Sequence, residues 1–113
     1  MNNLGVISEK IAADFLTQQG LLLIAQNYSC KYGEIDLIMR DGKTTVFVEV
    51  RLRSNNTYGG AASSITKTKQ LKLSRTAEHY LQQHGNLACR FDAILMSKAE
   101  AASIQWIKNA FDS

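Results

Sequence analysis

The sequence of 113 residues contains no proline and only two cysteines. The missing proline argues against a proline-rich linker or tail, and two cysteines are too few for a disulfide scaffold. Neither Cys30 nor Cys89 lies in a CxxC or Cys/His cluster, so the cysteine pattern does not indicate a zinc site. We therefore expect two unpaired thiols and a protein of the reducing cytoplasm.

Long apolar runs are also missing. No uninterrupted apolar stretch approaches the roughly 20 residues that span a bilayer, and the run at 21–25 is only strand-sized. The first residues carry no basic segment, so we expect neither a signal peptide nor membrane association. A chain of this length is typical of one domain with a single core.

Acidic residues are scarce in one part of the chain. Residues 1–49 carry a net charge of −2 and residues 50–90 of +6, within a total of +3. No acidic residue occurs between Arg51 and Arg75. Such a bias is typical of a surface that binds polyanions, but a solvated basic helix face accounts for it equally well.

The apolar periodicity predicts the order αβββαββ, which indicates a single α/β domain over residues 1–113 with a mixed five-stranded sheet and flanking helices. The first helix is predicted from a cap at Asn2 or Asn3 to about Gln19, and the second from a cap at Ser63 or Ser64 to Gly85. A loop is predicted at 54–62. The predicted strands are a buried one at 21–28, then 33–40, 43–53, 87–96 and a short one at 103–107.

Asp41-Gly42 is the strongest hairpin signal in the chain. A two-residue turn there pairs Arg40 with Lys43 and predicts two further pairs, Asp36 with Phe47 and Glu34 with Glu49. One hairpin face is then wholly apolar, formed by Ile35, Leu37, Met39, Val46, Val48 and Val50. The other carries Glu34, Asp36, Phe47, Glu49 and Arg51.

The second face needs compensation, because opposed like charges destabilise a sheet. A bound divalent cation is one solution, and carboxylate oxygens suit magnesium or manganese. An ion pair between Arg51 and Glu49 is the other, which makes this face an ordinary polar surface. The spacing alone leaves both interpretations open.

The segment GEIDLIMRDGKTTVFVEVRLR at 33–53 resembles the core motif of the YraN-like family, which is related to Holliday-junction resolvases of the PD-(D/E)XK nuclease-like group. The resemblance extends to Asn27-Tyr28, YGGAASSIT at 58–66, CRFD at 89–92 and WIKNAF at 106–111. It implies a restriction-endonuclease-like core. It also implies a magnesium- or manganese-dependent endonuclease that hydrolyses DNA, with branched DNA as the expected substrate.

The resemblance also implies roles for particular residues. Asp36 and Glu49 match the metal-binding acids, and Glu9 matches an assisting helical acid. Gln70 takes the place of a frequent polar residue that orients water or phosphate. Arg51 stands where the group usually has lysine, and arginine cannot act as a base, although it can stabilise phosphate charge.

DNA and a second copy of the chain are the expected partners, since a symmetric junction suits a twofold dimer. The candidate nucleic-acid contacts are Arg53, Lys67, Lys69, Lys72 and Arg75, together with Tyr58 for base stacking. The alternatives are a catalytically silent nucleic-acid-binding module that keeps the acidic pocket and a protein-interaction domain. Structural roles are expected for Asp92, His79, His84, Trp106 and Phe111.

Overall fold

The computed structural model describes residues 4–52, 65–85 and 88–111. The elements are α1 (Leu4–Gln18), β1 (Leu22–Cys30), β2 (Gly33–Asp41), β3 (Thr44–Leu52), α2 (Lys67–His84), β4 (Cys89–Met96) and β5 (Ile104–Phe111). A short 3-10 turn, Ala101–Ser103, precedes β5. The predicted order αβββαββ is confirmed.

The five strands form one sheet in the order β1-β2-β3-β4-β5. β3 and β4 are parallel, whereas the other three neighbouring pairs are antiparallel, so the sheet is mixed as predicted. Parallel neighbours need a crossover connection, and α2 lies in the segment that joins β3 to β4.

Each face of the sheet carries its own apolar core. Ala12 and Leu16 of α1 pack with Leu37, Val48 and Ile94 on one face. The core on the other face joins α2 to the same strands, through Leu73, Ala77, Tyr80, Ile38, Phe47 and Phe91. The two outer layers of the domain are therefore helices, and the hairpin of β2 and β3 lies between them.

The prediction that the first strand is buried is wrong. β1 lies at the edge of the sheet, and its consecutive apolar residues Leu22, Leu23 and Ile24 are exposed. A short apolar run does not distinguish a central strand from an edge strand. β5 is longer than predicted, since it continues to Phe111, which packs on the α2 face.

Helix α2 begins later than predicted. Its cap is Thr66, whose hydroxyl accepts a hydrogen bond from the Lys69 amide at 3.1 Å. The predicted cap residues, Ser63 and Ser64, lie outside the described residues, as do Asn2 and Asn3. The predicted end at Gly85 is confirmed, and its φ of 104° is a conformation that glycine adopts readily.

The predicted hairpin register is wrong by two residues. Asp41 pairs with Thr44, so the turn is Gly42-Lys43, with Gly42 at a φ of 63° in the first central position. A shift of two leaves each side chain on its predicted face but changes its partner: Phe47 pairs with Ile38 instead of Asp36. It also removes the predicted pairing of Glu34 with Glu49.

One residue departs from the predicted faces. Ile35 packs in the α2-side core together with Ile38, although strict alternation would place it beside Leu37 on the α1 side. The alternation of β2 is therefore broken between these residues, at Asp36.

The structural roles expected for several polar and aromatic residues are confirmed. The buried Asp92 carboxylate accepts hydrogen bonds from Arg90 Nε, Trp106 Nε1 and the Asn109 amide. His79 bonds Tyr28, and His84 bonds the Tyr80 carbonyl. The two cysteines are free thiols. In the parts of the chain that the structure describes, no helix is both long and apolar enough to cross a membrane.

A candidate acidic site on the central hairpin

Asp36 lies where the backbone ladder between β2 and β3 ends. The last paired residues are Leu37 and Val48. Beyond them, the Val50 amide donates to Asp36 Oδ2 at 2.8 Å, so a side-chain oxygen replaces the main-chain acceptor of a regular strand pair. This bond fixes the Asp36 carboxylate beside β3.

Glu49 is the buried acid of the site. Its side chain is 7% exposed and lies 3.3 Å from Arg51 Nε and 3.4 Å from Lys69 Nζ. Burial, followed by the charge of Asp36, raises the pKa of Glu49 to about 7, although Lys69 and Arg51 act in the opposite direction. The two cations therefore only partly compensate the desolvated carboxylate.

Glu9 approaches the same site from helix α1. Burial and the neighbouring charge of Asp36 raise the pKa of Glu9, whereas a hydrogen bond with Asn27 lowers it. Asp36 thus interacts with one acid from α1 and one from β3. The structure brings together the three acids that the family resemblance selects, although they come from three different elements.

Lys69 was predicted as a contact to DNA phosphates, but its ammonium lies against Glu49. The sequence offered no signal for this ion pair, because 20 residues separate the two positions along the chain. Asn27 was not predicted as a site residue at all. Its φ of 51° is a conformation that asparagine tolerates better than most residues, and its side chain meets Glu9.

Of the two remaining predicted catalytic residues, the structure places Arg51 against the acidic cluster and bonds Gln70 to the start of α2. Arg51 Nε is buried and lies 3.3 Å from Glu49, within ion-pair distance, although this nitrogen makes no hydrogen bond. Gln70 Nε2 donates to the Ile65 carbonyl at 2.9 Å. In this arrangement Gln70 ties down the chain that enters α2.

The other predicted contacts to nucleic acid that fall within the described residues lie on α2. Lys67, Lys72 and Arg75 are exposed. Arg53 and Tyr58 lie outside the described residues. The basic side chains of α2 therefore either reach solvent or, in the case of Lys69, enter the acidic cluster.

The donor chemistry of the cluster decides which ion it suits. Within residues 4–52, 65–85 and 88–111, no three His, Cys, Asp or Glu side chains are arranged so that they could hold a metal ion. Asp36 and Glu49 still provide two adjacent carboxylates. Magnesium commonly takes only one or two carboxylates and completes its shell with water and phosphate oxygens. This pair fits that mode better than a closed protein cage.

The fold and the site define a class: a small α/β protein whose central hairpin presents a carboxylate cluster beside a basic helix. The chain belongs to the YraN family, described as "Uncharacterised protein family UPF0102", whose model matches residues 8–96. This match confirms the resemblance inferred from the hairpin motif.

Full-length relatives carry the same family name. The chain is 56% identical to a UPF0102 protein of Methylobacillus flagellatus over 113 residues, which covers both chains completely. A UPF0102 protein of Nitrosomonas europaea is 57% identical over 111 residues, covering 97% of this chain and 94% of the relative. A UPF0102 protein of Psychromonas ingrahamii is 50% identical over 111 residues, covering 97% and 90%.

Proposed function

We propose that this protein is a magnesium- or manganese-dependent endonuclease that hydrolyses phosphodiester bonds in DNA, with branched, Holliday-junction-like DNA as its substrate. The observation that carries the proposal is the adjacent pair Asp36 and Glu49. One carboxylate is fixed by a backbone amide, and the other is buried and under-compensated. Two such oxygen donors in a half-buried site are what a hard divalent cation requires.

Each residue of the site has a role in this proposal. Asp36 and Glu49 would hold the ion, and Glu9 would assist directly or through water. A bound magnesium ion supplies an activated water and neutralises phosphate charge. Arg51 and Lys69 place two cations beside Glu49, where they would stabilise charge on the phosphate. Gln70, which follows Lys69 on α2, would orient water or phosphate once its bond to Ile65 opens.

The basic surface of α2 supports DNA as the substrate. Lys67, Lys72 and Arg75 are exposed on the helix that also carries Lys69 into the acidic cluster. A polyanion that contacts these side chains would therefore lie close to the carboxylates. Their positive charge would offset the repulsion between the acidic cluster and the phosphate backbone.

We extend the proposal to a homodimer. A symmetric junction offers two equivalent phosphates, which a twofold dimer meets with two copies of one site. The exposed edge strand β1, with Leu22, Leu23 and Ile24, is the surface that we assign to the second copy. Sedimentation velocity tests this assignment: a Leu23→Lys variant should be monomeric at concentrations where the wild type is dimeric.

A specific observation also favours the second candidate function, a catalytically silent nucleic-acid-binding module. The cations Arg51 and Lys69 both lie against Glu49. Protein groups therefore already offset part of the negative charge that a metal ion would otherwise offset. The residue at the usual lysine position is also an arginine, which cannot accept a proton from water.

A panel of DNA structures separates the two functions. Junction, flap, single-stranded and duplex DNA are incubated with magnesium, with manganese or with chelator, and both binding and cleavage are scored. We expect cleavage of the junction only with metal, and none by Asp36→Asn. Junction binding without cleavage in either metal would replace the endonuclease by the silent module.

Metal binding is measured separately by titration calorimetry. We expect magnesium or manganese to bind the wild type and not Asp36→Asn. Asp14→Asn is a suitable control, because Asp14 is an exposed acid of α1 paired with Lys10. Equal and negligible heats in all three proteins would leave the ion pair as the only role of the cluster.

A further inference from the structure

A second cleft lies between the turn that joins β1 to β2 and the exposed side of α2. Its volume is about 570 Å³, and it is separate from the acidic cluster. The residues that line it are Lys31, Tyr32, Arg75, Glu78, His79 and Gln82. Of these, only Arg75 was predicted to contact nucleic acid.

The cleft combines an aromatic surface with positive charge. The Tyr32 ring is 39% exposed, and the Lys31 ammonium lies 5.2 Å from its centroid. His79 meets the same ring nearly edge-on, at 6.5 Å between centroids. A base could stack on the Tyr32 face that Lys31 covers, and Lys31 would then be free to contact a phosphate. Aromatic platforms beside cationic side chains are how proteins bind unpaired nucleic-acid strands.

The walls of the cleft are held in place. The Tyr28 hydroxyl and His79 Nδ1 are 2.6 Å apart, which anchors the histidine ring. The turn itself lies tightly on α2: a Cβ added to Gly33 would stand 3.3 Å from the hydroxyl of the buried Thr76. Tyr32 and His79 are thus preorganised, so ordering them costs a ligand little free energy.

The cleft lies within reach of the acidic cluster. Gly33, at the cleft, and Asp36, in the cluster, are three positions apart on β2, or about 10 Å at the rise of a strand. Arg75 and Lys69 are six positions apart on α2, or about 9 Å at the rise of a helix. Either distance corresponds to about three steps of stacked nucleotides.

We propose that this cleft is a second binding site of the protein, in which an unpaired strand next to the scissile phosphate stacks a base on Tyr32 and places its phosphates against Lys31 and Arg75. The inference rests on the proposed function for its ligand and adds a preference within branched DNA: a strand that is unpaired beside the cleavage position. Glu78 and Gln82 supply the polar groups that face the edge of the base.

Fluorescence anisotropy in chelator tests the site without cleavage. The probes are a blunt DNA duplex and the same duplex with a short unpaired tail. We expect the wild type to prefer the tailed duplex. Tyr32→Leu should weaken binding of the tailed duplex about tenfold, which is the effect of losing one stacked base. Binding of the blunt duplex should stay unchanged. Tyr32→Phe keeps the ring and should bind both probes like the wild type.

The basic residues give an independent measurement. Lys31→Ala and Arg75→Ala should each reduce the salt dependence of binding to the tailed duplex, by about 0.7 for every phosphate that is no longer neutralised. Lys43→Ala is the matched control, since Lys43 is an exposed lysine in the turn at the other end of β2. Its slope should equal that of the wild type.

The inference is overturned if Tyr32→Leu weakens binding of both probes equally or leaves binding of both unchanged. It is also overturned if the wild type does not prefer the tailed duplex. A Tyr32→Leu protein that melts below the wild type is replaced in the same comparison by Lys31→Glu, because Lys31 lines the cleft but lies outside the basic surface of α2. A Tyr32-dependent preference for the tail without metal-dependent cleavage supports this site and overturns only the proposed hydrolysis. Metal-dependent cleavage that Tyr32→Leu leaves unchanged supports the proposed hydrolysis and overturns only this site.

Discussion

Replacing Glu49 by glutamine should stabilise the protein at alkaline pH in the absence of metal. Glu49 has a pKa of about 7 in the folded protein, whereas an ordinary glutamate has 4.5. Between these values the folded state binds more protons than the unfolded state, so stability falls as the pH rises. The loss begins near pH 4.5 and is complete somewhat above pH 7. Glutamine resembles the protonated acid and does not ionise, so the variant does not lose this stability as the pH rises.

The size of the effect follows from the two pKa values. At about 1.4 kcal/mol for each unit of pKa, ionising Glu49 costs about 3 kcal/mol of unfolding free energy. The variant should therefore match the wild type near pH 4 and exceed it by about 3 kcal/mol at pH 8.5. For a domain of this size, that corresponds to roughly 10 °C in melting temperature.

Urea unfolding in chelator across this pH range measures the difference between the two proteins, in which the titration of groups that do not interact with Glu49 cancels. Glu78→Gln provides the matched control, since Glu78 is an exposed glutamate of α2. Its curve should parallel that of the wild type. Asp36→Asn should reduce the pH dependence without abolishing it, because burial acts on Glu49 more strongly than the charge of Asp36 does. A constant difference between Glu49→Gln and the wild type at every pH would refute the reasoning.

Three further predictions concern the surroundings of the site. Removing the guanidinium in Arg51→Ala should lower stability at pH 8.5 in chelator, and magnesium should restore part of it because only the folded state binds the ion; an unchanged melting temperature would show that Arg51 does not balance Glu49. In a salt titration of duplex DNA binding, Lys67→Ala combined with Lys72→Ala should reduce the slope by about 0.9 for every phosphate that is no longer neutralised, and an unchanged slope would place these lysines away from DNA. Asp92→Asn should cost about 3 kcal/mol in urea unfolding because it leaves Arg90 without its buried partner, whereas a cost below about 1 kcal/mol would contradict that role.

The sequence allowed the hairpin faces to be predicted, but not their register. Alternation reports on which side of the sheet Phe47 or Val48 lies, and a slip of two residues leaves that pattern intact. The turn decided the register instead, and Gly42 fits the first central position as well as the second. The hydrogen bond that holds Asp36 could not be read from the sequence either, since it joins a side chain of one strand to the Val50 amide of another.

The residues of the site could be predicted from the sequence only in part, for a related reason. The resemblance selected Asp36, Glu49 and Glu9, because a motif records residue types at fixed spacings. Lys69 was predicted to contact DNA because nothing in the sequence distinguishes it from the other basic residues of α2. Its contact with Glu49 depends on how α2 docks on the sheet, and no local pattern encodes that docking. The exposure of β1 likewise depends on the strand order and not on its own apolar residues.

The parallel pairing of β3 with β4 has a consequence for the order in which the site is assembled. Thr45 and Cys89 are neighbours across this pair, although 44 positions separate them along the chain. The meander of β1, β2 and β3 closes with short turns, and it alone brings Asp36 and Glu49 together. Lys69 arrives only with the crossover helix, whose docking closes a much longer loop. The two carboxylates therefore meet through contacts that are local in the sequence, whereas the lysine that partly offsets their charge comes from a long-range contact.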